Sequence, residues 1–380
     1  MKKKICFIAS SPSGIKSFQK TNISRLAEKF DVYAIANFKD REELGDIQIK
    51  EAFPVNIERR PSIIQNVKAL VSLYQVFKKQ KFDCFVSMSC NASLLAAIAG
   101  KLAGIPFRIR IFTGQVWANM TGGKRAVFKM LDRLTIALNT NTMVDGKAQF
   151  NFLAENRIIE PDKTECLPNI VGIDTELFKP VAKVRAIERA RLSISDNKFV
   201  FAFLGRVNKD KGIFELLAAA NRLFKEGANA CLVIIGPMED GLTDEIVAGF
   251  NDLKLGDNVF FYGKTQQPYN ALQVADAFCL PSYREGFGLS VLEASATELP
   301  VICSDAYGMQ SAYEENVTGL KCKKKDVDSL YECMKLLYET PELSHSLGKG
   351  GRDRVKKTFN KDIVSKCWYN YLSKVVGVES

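Results

Sequence analysis

The sequence predicts an α/β protein built of two doubly wound parallel-sheet domains in tandem. Short apolar runs of strand length alternate with longer segments of helical period, and the alternation occurs twice. It breaks once, around residues 167–180 (LPNIVGIDTELFKP), where two prolines and a glycine leave no clean period. At 380 residues the chain also exceeds what one compact domain usually holds. The expected division is residues 1–172, then 173–360, with a final helix over 361–380 that packs back on the first domain.

The first series opens with the buried strand KKICFIAS, a loop at Ser10–Gly14 and an amphipathic helix around Ser17–Lys29. The strand DVYAIAN follows, then DCFVSM (83–88), the helix ASLLAAIAGKLAG and the strand FRIRIF (107–112). A helix near 124–138, a strand at 141–144 and a helix after Gly146 complete it. The second series starts with the strand KFVFAFLG, the helix 212–226 and the strand ACLVIIG. Further strands are NVFFYG, AFCLP and PVICS, followed by polar helices after Asp326 and Pro341 and an aromatic-rich helix near 362–375. Such sheets bind ligands beyond the carboxyl ends of their strands, so functional residues are expected just after strands, facing a cleft between the domains.

Composition excludes several classes. Lys2–Lys4 precede too short an apolar run for a secretory signal, and no run approaches a membrane span, so a cytoplasmic protein is expected. Of ten cysteines, Cys6, Cys84, Cys231, Cys279 and Cys303 lie in strand-like runs and none forms a C-x-x-C pair, which fits buried thiols rather than disulfides or zinc. The net charge of +10 is uneven. Residues 1–170 carry 26 Lys+Arg against 15 Asp+Glu, and the remainder 27 against 28. The first half therefore either faces a polyanion, such as an anionic membrane, or simply has a solvated basic surface.

Two strand exits in the second half carry candidate chemistry. After FVFAFL comes GRVNKDKG, where Gly205 turns the chain and Arg206 and Lys211 stand beside a helix start. Two cations and free backbone N–H groups suit a diphosphate, although loops with Arg and Lys are also commonly just solvated. After AFCLPSYR comes EGFGLSVLE, with Glu285 before a helix and Glu293 inside it. Eight residues at about 100° each bring the two acids within about 80° in azimuth, enough to address one extended ligand. By spacing alone, an acid near a helix N-terminus and an exposed acid on its flank explain them equally well.

Together, GRVNKDKG, VFFYG, DAFCLPSYREGFGLSVLEASATELPVICSD and VTGL resemble the donor-binding half of retaining family 4 glycosyltransferases of the GT-B fold. Glu285 and Glu293 match that family's E-x7-E motif, SPSGIKSF is placed like its acceptor-side loop with Gly14, and IFTGQVWANMTGGKRAVFKMLDRL resembles a block in enzymes that build bacterial cell-surface glycans. The resemblance implies two Rossmann-like domains and a nucleotide-sugar donor, a UDP-sugar, with a glycan or polyprenyl-linked acceptor. Arg206 and Lys211 would then neutralise the donor diphosphate, supplying catalysis electrostatically. Backbone N–H groups around Gly286, Phe287, Gly288 and Leu289 would cradle phosphate, Glu293 would bind the ribose and Glu285 the sugar. Thr265 in YGKT would lie by the nucleobase. No cofactor or metal is implied. Where many relatives carry a histidine near the donor sugar, this chain has Thr113-Gly114-Gln115, so Gly114 and Gln115 are the candidates for the sugar side.

Other features have plainer readings. His345, the only histidine, falls in a polar helix as a surface residue, and Asp326-Val327-Asp328 reads as a helix cap and first-turn acid rather than a metal motif. The segments 59–82 and 122–134 mix cations with apolar residues, which allows either packing on the domain's own sheet or docking on an anionic membrane. A sugar-nucleotide epimerase of the same form stays open, as does a basic nucleic-acid-binding protein, although most aromatics lie in strand cores. A nicotinamide dehydrogenase is disfavoured, since no G-x-G-x-x-G follows either first strand.

Overall fold

Parallel strands buried on both faces dominate the chain, as the continuous apolar runs require. The computed structural model describes residues 2–58, 62–167, 170–239, 248 and 256–378. It divides into two units, Met1–Gly172 with Lys361–Ser380, and Ile173–Asn360. The first unit holds seven strands: β1 (Lys4–Ile8), β2 (Asp31–Ala36), β3 (Glu51–Pro54), β4 (Cys84–Ser87), β5 (Phe107–Phe112), β6 (Asn141–Val144) and β7 (Thr164–Cys166). They pair in the order β3-β2-β1-β4-β5-β6-β7, all parallel. The order reverses direction between β1 and β4, so right-handed crossovers put the helices after β1 and after β4 on opposite faces.

Those helices are α1 (Pro12–Ala27), α2 (Ile63–Gln80), α3 (Cys90–Ala103), α4 (Gly122–Leu138) and α5 (Lys147–Glu155). Helix α3 packs against both α2 and α4, which makes one layer of the three. Alternation along β1 shows the two faces: Cys6 and Ile8 pack in a core with Leu73 and Phe77 of α2, while the Phe7 ring lies 6.4 Å from Trp368. Helix α1 starts at Pro12, earlier than the loop expected over Ser10–Gly14. Proline fits a first helical position because its missing N–H is an unsatisfied group there anyway.

The second unit has α6 (Ala182–Arg191), β8 (Phe199–Leu204), α7 (Ile213–Lys225), β9 (Ala230–Ile235), β10 (Val259–Gly263), β11 (Ala277–Leu280), α8 (Leu289–Ala296), β12 (Val301–Ser304), β13 (Gly319–Cys322), α9 (Val327–Glu339) and α10 (Pro341–Arg354). Its six strands run β10-β9-β8-β11-β12-β13, again all parallel, with the reversal between β8 and β11. Strands β3, β7 and β13 and helix α6 carry no clear sequence signal. β3 and β7 are edge strands of three or four residues with little burial, too short for alternation to register. Helix α6 alternates charged with small or aliphatic residues and buries only Arg189; it is held by Asp276, which accepts from Arg185 at 2.5 Å, Arg189 at 2.7 Å and the Val200 N–H at 2.7 Å. The last helix, α11 (Lys361–Val376), returns to the first unit and buries Trp368 there.

Candidate functional site

The loops leaving β8 and β11 meet at the switch point of the second sheet, where a doubly wound fold opens its binding crevice. A close backbone approach makes the meeting possible. Gly212, at φ +70°, ends the β8 loop, and a Cβ there would lie 2.3 Å from the Pro281 carbonyl oxygen. Only glycine accepts both that dihedral and that contact. The approach sets the Lys211 ammonium against the Glu285 carboxylate in a direct ion pair, with the side chains 24% and 12% exposed. Glu285 also accepts from Ser282 Oγ at 2.9 Å, and Asn208 Oδ1 accepts the Lys211 N–H at 3.1 Å. Two residues nominated from separate strand exits thus occupy one point in space. Gly308 makes a second close approach, its Cβ position 2.3 Å from the Glu285 carbonyl oxygen, which fixes the 285–286 backbone.

Helix α8 starts directly after this pair. Gly288 is its N-cap and supplies no side-chain acceptor, so the first N–H groups of the helix keep their capacity for an anion. Leu289 is its first residue. Phe287 offers only its backbone, since its ring is buried edge-on to Phe359 at 5.8 Å. Glu293 lies on the second turn of α8, and its carboxylate has no hydrogen bond or ion pair among the described residues. Burial raises its pKa to about 8. The helical azimuth argument for the two acids needs correction: Glu285 lies in irregular backbone four residues before α8, so the loop, and not helix periodicity, places it.

The remaining predicted positions are divided between the two units. Gly205 follows β8, and Arg206 is exposed with no ion pair among the described residues. Thr265 follows β10, two strands out from β8, and its hydroxyl accepts the Gln267 N–H at 3.0 Å. In the first unit, Gly14 lies in the first turn of α1, 3.3 Å from Ala9 Cβ when a Cβ is placed on it. Gly114 donates its N–H to Gln149 Oε1 at 2.7 Å, with that amide turned to satisfy its neighbours, and Gln115 is buried at 1% exposure. His345 is exposed on α10. Asp326 accepts from the Ser329 N–H at 2.9 Å as N-cap of α9, while Asp328 pairs with Arg222 at 2.8 Å. Among the described residues no group of three or more potential ligands gathers as a metal site.

Sequence reasoning missed three features. The loop carrying Gln115 is pinned by a buried network in which Asp132 of α4 accepts from Arg110 at 2.5 Å and from Trp117 Nε1 at 2.6 Å. Nothing in the spacing of Arg110 and Asp132 announces the pair. At the switch point of the first sheet, Ser10 and Ser89 hydroxyls lie 2.8 Å apart, and Ser89 holds φ +70°, an uncommon backbone for a side-chain residue. Near Lys211, Tyr283 donates to Glu215 at 2.5 Å, with Lys325 Nζ 4.8 Å from the Tyr283 ring centroid.

Two parallel sheets of this order define a GT-B glycosyltransferase fold. The chain superposes on sucrose-phosphate synthase from Thermosynechococcus elongatus with a TM-score of 0.82 at 20% identity, covering 99% of this chain and 100% of that one. It superposes equally, at 0.82 and 17% identity, on Anabaena Alr3699/HepE in complex with UDP and glucose, covering 98% and 99%. Residues 184–354, within the second unit, match the family of glycosyl transferases group 1, and the protein is a glycosyltransferase. It is 26% identical to an Escherichia coli UDP-Gal:alpha-D-GlcNAc-diphosphoundecaprenol alpha-1,3-galactosyltransferase, over 88% of this chain and 86% of that protein. It is 25% identical to the capsular polysaccharide biosynthesis glycosyltransferase CapM of Staphylococcus aureus, over 89% and 88%.

Proposed function

We propose that the protein transfers a sugar from a UDP-sugar to a hydroxyl of a lipid-linked glycan, with retention of anomeric configuration, in the assembly of a cell-surface polysaccharide. The observation that carries the reading is the Lys211–Glu285 pair at the second sheet's switch point, beside the uncapped N-terminus of α8. In this reading the donor diphosphate takes Lys211, Arg206 and the N–H groups of residues 286–289. Their positive charge compensates the leaving group as the glycosidic bond breaks, and no metal is needed. The unpaired Glu293 carboxyl receives the ribose hydroxyls, Thr265 lies toward the base, and Glu285, released from Lys211, faces the sugar. Departure of the diphosphate and arrival of the acceptor hydroxyl occur on one face of the sugar, the diphosphate oxygen taking the hydroxyl proton. Retention then requires no protein nucleophile.

The acceptor belongs to the basic first unit, and the enzyme works peripherally at the inner face of the cytoplasmic membrane. The names of the relatives in E. coli and in Campylobacter jejuni, both acting on diphosphoundecaprenol-linked sugars, support a polyprenyl-linked acceptor. The test is transfer from a panel of UDP-sugars to a diphosphoprenyl-linked sugar, with the anomeric configuration of the product read by NMR. Glu285→Ala and Lys211→Ala should each abolish transfer with the fold intact, and normal turnover in both would refute the assignment. Incubation with donor alone separates the epimerase reading, because an epimerase would still interconvert the sugar.

A further inference from the structure

The helical layer α2–α3–α4 carries an apolar surface that its own domain does not use. Helix α2 has two apolar faces. Ala69, Leu73 and Phe77 are buried against the sheet, whereas Ile63, Ile64, Val67, Val71 and Tyr74 are exposed, Ile63 at 84% and Ile64 at 69%. At about 100° per residue the five exposed side chains fall within one sector of about 100°, centred roughly 130° round from the buried face. Packing on the sheet therefore accounts for one face only. Helix α4 repeats the arrangement: Val127, Met130 and Leu134 are exposed at a spacing of three and four, away from the buried Asp132 and Thr135. Leu102, at the end of α3 between them, is 64% exposed. Nine of the sixteen exposed large hydrophobic residues among those described lie on these three helices.

Charge identifies what covers this surface. The three helices contain eight Lys and Arg and one acid, Asp132, which is buried and consumed by Arg110 and Trp117. The layer thus presents no exposed carboxylate. Lys68, Lys78, Lys79, Lys101, Lys124 and Arg133 are all exposed on it, and Lys78 Nζ lies 5.8 Å from the Tyr74 ring centroid. An apolar protein partner would not select against acids so completely, whereas an anionic lipid surface attracts every one of these cations and repels any acid. No helix among the described residues is long and apolar enough to span a membrane, so the aliphatic groups can enter only the headgroup and upper acyl region.

We propose that α2, α3 and α4 form the face by which this enzyme docks on an anionic phospholipid bilayer, with Ile63 and Ile64 at the leading end of α2 inserted. The proposal rests on the reading of a membrane-borne acceptor and gives that reading its surface. Residues 59–61, two of them arginines, adjoin this end but lie outside the described residues.

Flotation of the full chain with vesicles of equal parts phosphatidylglycerol and phosphatidylcholine tests it. Binding is expected to these vesicles and to be much weaker with phosphatidylcholine alone. Ile63→Ser/Ile64→Ser/Val67→Ser should reduce binding at least about tenfold, given the apolar area lost. Lys68→Gln/Lys78→Gln/Lys124→Gln should reduce it by about fivefold per lysine. Leu336→Ser, an exposed apolar position of the second unit, should leave it unchanged. Unaltered vesicle binding by the Ile63/Ile64/Val67 variant, or equal loss on Leu336→Ser, would overturn the proposal. So would sedimentation showing that the same variant dissolves a dimer in a chain that ignores vesicles. Docking and activity separate cleanly. The triple serine variant should lose transfer to acceptor in vesicles while keeping transfer to a short-chain, water-soluble acceptor. A chain that binds vesicles through these residues but transfers no sugar would sustain the docking face and sink the proposed substrates.

Discussion

Replacing Glu293 by glutamine should make the free protein more stable and a poorer binder of its donor. Burial holds the Glu293 carboxyl at a pKa of about 8, whereas in the unfolded chain it titrates near about 4.3. Between those values the folded state keeps the proton that the unfolded state has released. The unfolded state then binds fewer protons, so stability falls as pH rises through this window and levels off above about pH 8. At about 1.4 kcal/mol per pH unit, the loss is roughly 3.6 kcal/mol near pH 7 and about 1 kcal/mol near pH 5. Glutamine keeps the shape and polarity but cannot ionise, so it removes that loss. For a unit of this size the gain near pH 7 corresponds to a rise in Tm of about 7–14 °C, and near pH 5 to roughly a quarter of that. Thermal unfolding of the second unit, followed by calorimetry at the two pH values, measures both. An equal shift at both pH values, or a lower Tm at pH 7, would refute the assignment of a half-buried, unpaired carboxyl held protonated by desolvation. In the same samples, titration calorimetry should show UDP affinity reduced by the substitution.

Four further outcomes follow from the geometry. Wild-type UDP affinity should rise between about pH 7 and pH 9 with release of a proton, because ribose hydroxyls favour the ionised Glu293; Glu293→Gln should flatten that pH profile. Lys211→Met should lower kcat by about 100- to 1,000-fold, the usual loss on removing one preorganised charge at a leaving group, with circular dichroism unchanged. Asp132→Ala should cost about 3–5 kcal/mol in denaturant unfolding by stranding the buried Arg110 guanidinium, and should loosen the loop that carries Gln115. Gly212→Ala should cost more than about 1 kcal/mol and abolish transfer, since the added Cβ meets the Pro281 carbonyl and parts Lys211 from Glu285.

The local pattern of the chain specified most of the architecture. Strands such as FVFAFL and ACLVII are buried on both faces, so their apolar runs are continuous and visible without partners. Strand exits were equally legible, and with them Gly205, Lys211, Glu285 and the helix start at Leu289, because a doubly wound sheet binds beyond its carboxyl ends. Where cohesion comes from distant partners, local pattern is silent. Helix α6 buries none of its aliphatic side chains and is held by Asp276, some ninety residues on; Arg110 and Asp132 look like two ordinary surface charges until β5 and α4 are packed together. The basic segment 59–82 showed cations and aliphatics, but not that α2 turns two different apolar faces to two different environments. So the sequence by itself determined which segments become strands and helices and which strand exits carry charge, because those depend on neighbours a few residues away. Only the tertiary structure decided that Lys211 meets Glu285, that Glu293 is left without a partner, and which aliphatic side chains stay in water. Each of those depends on which strands lie side by side, and that order brings together Lys211 and Glu285, 74 residues apart in the chain.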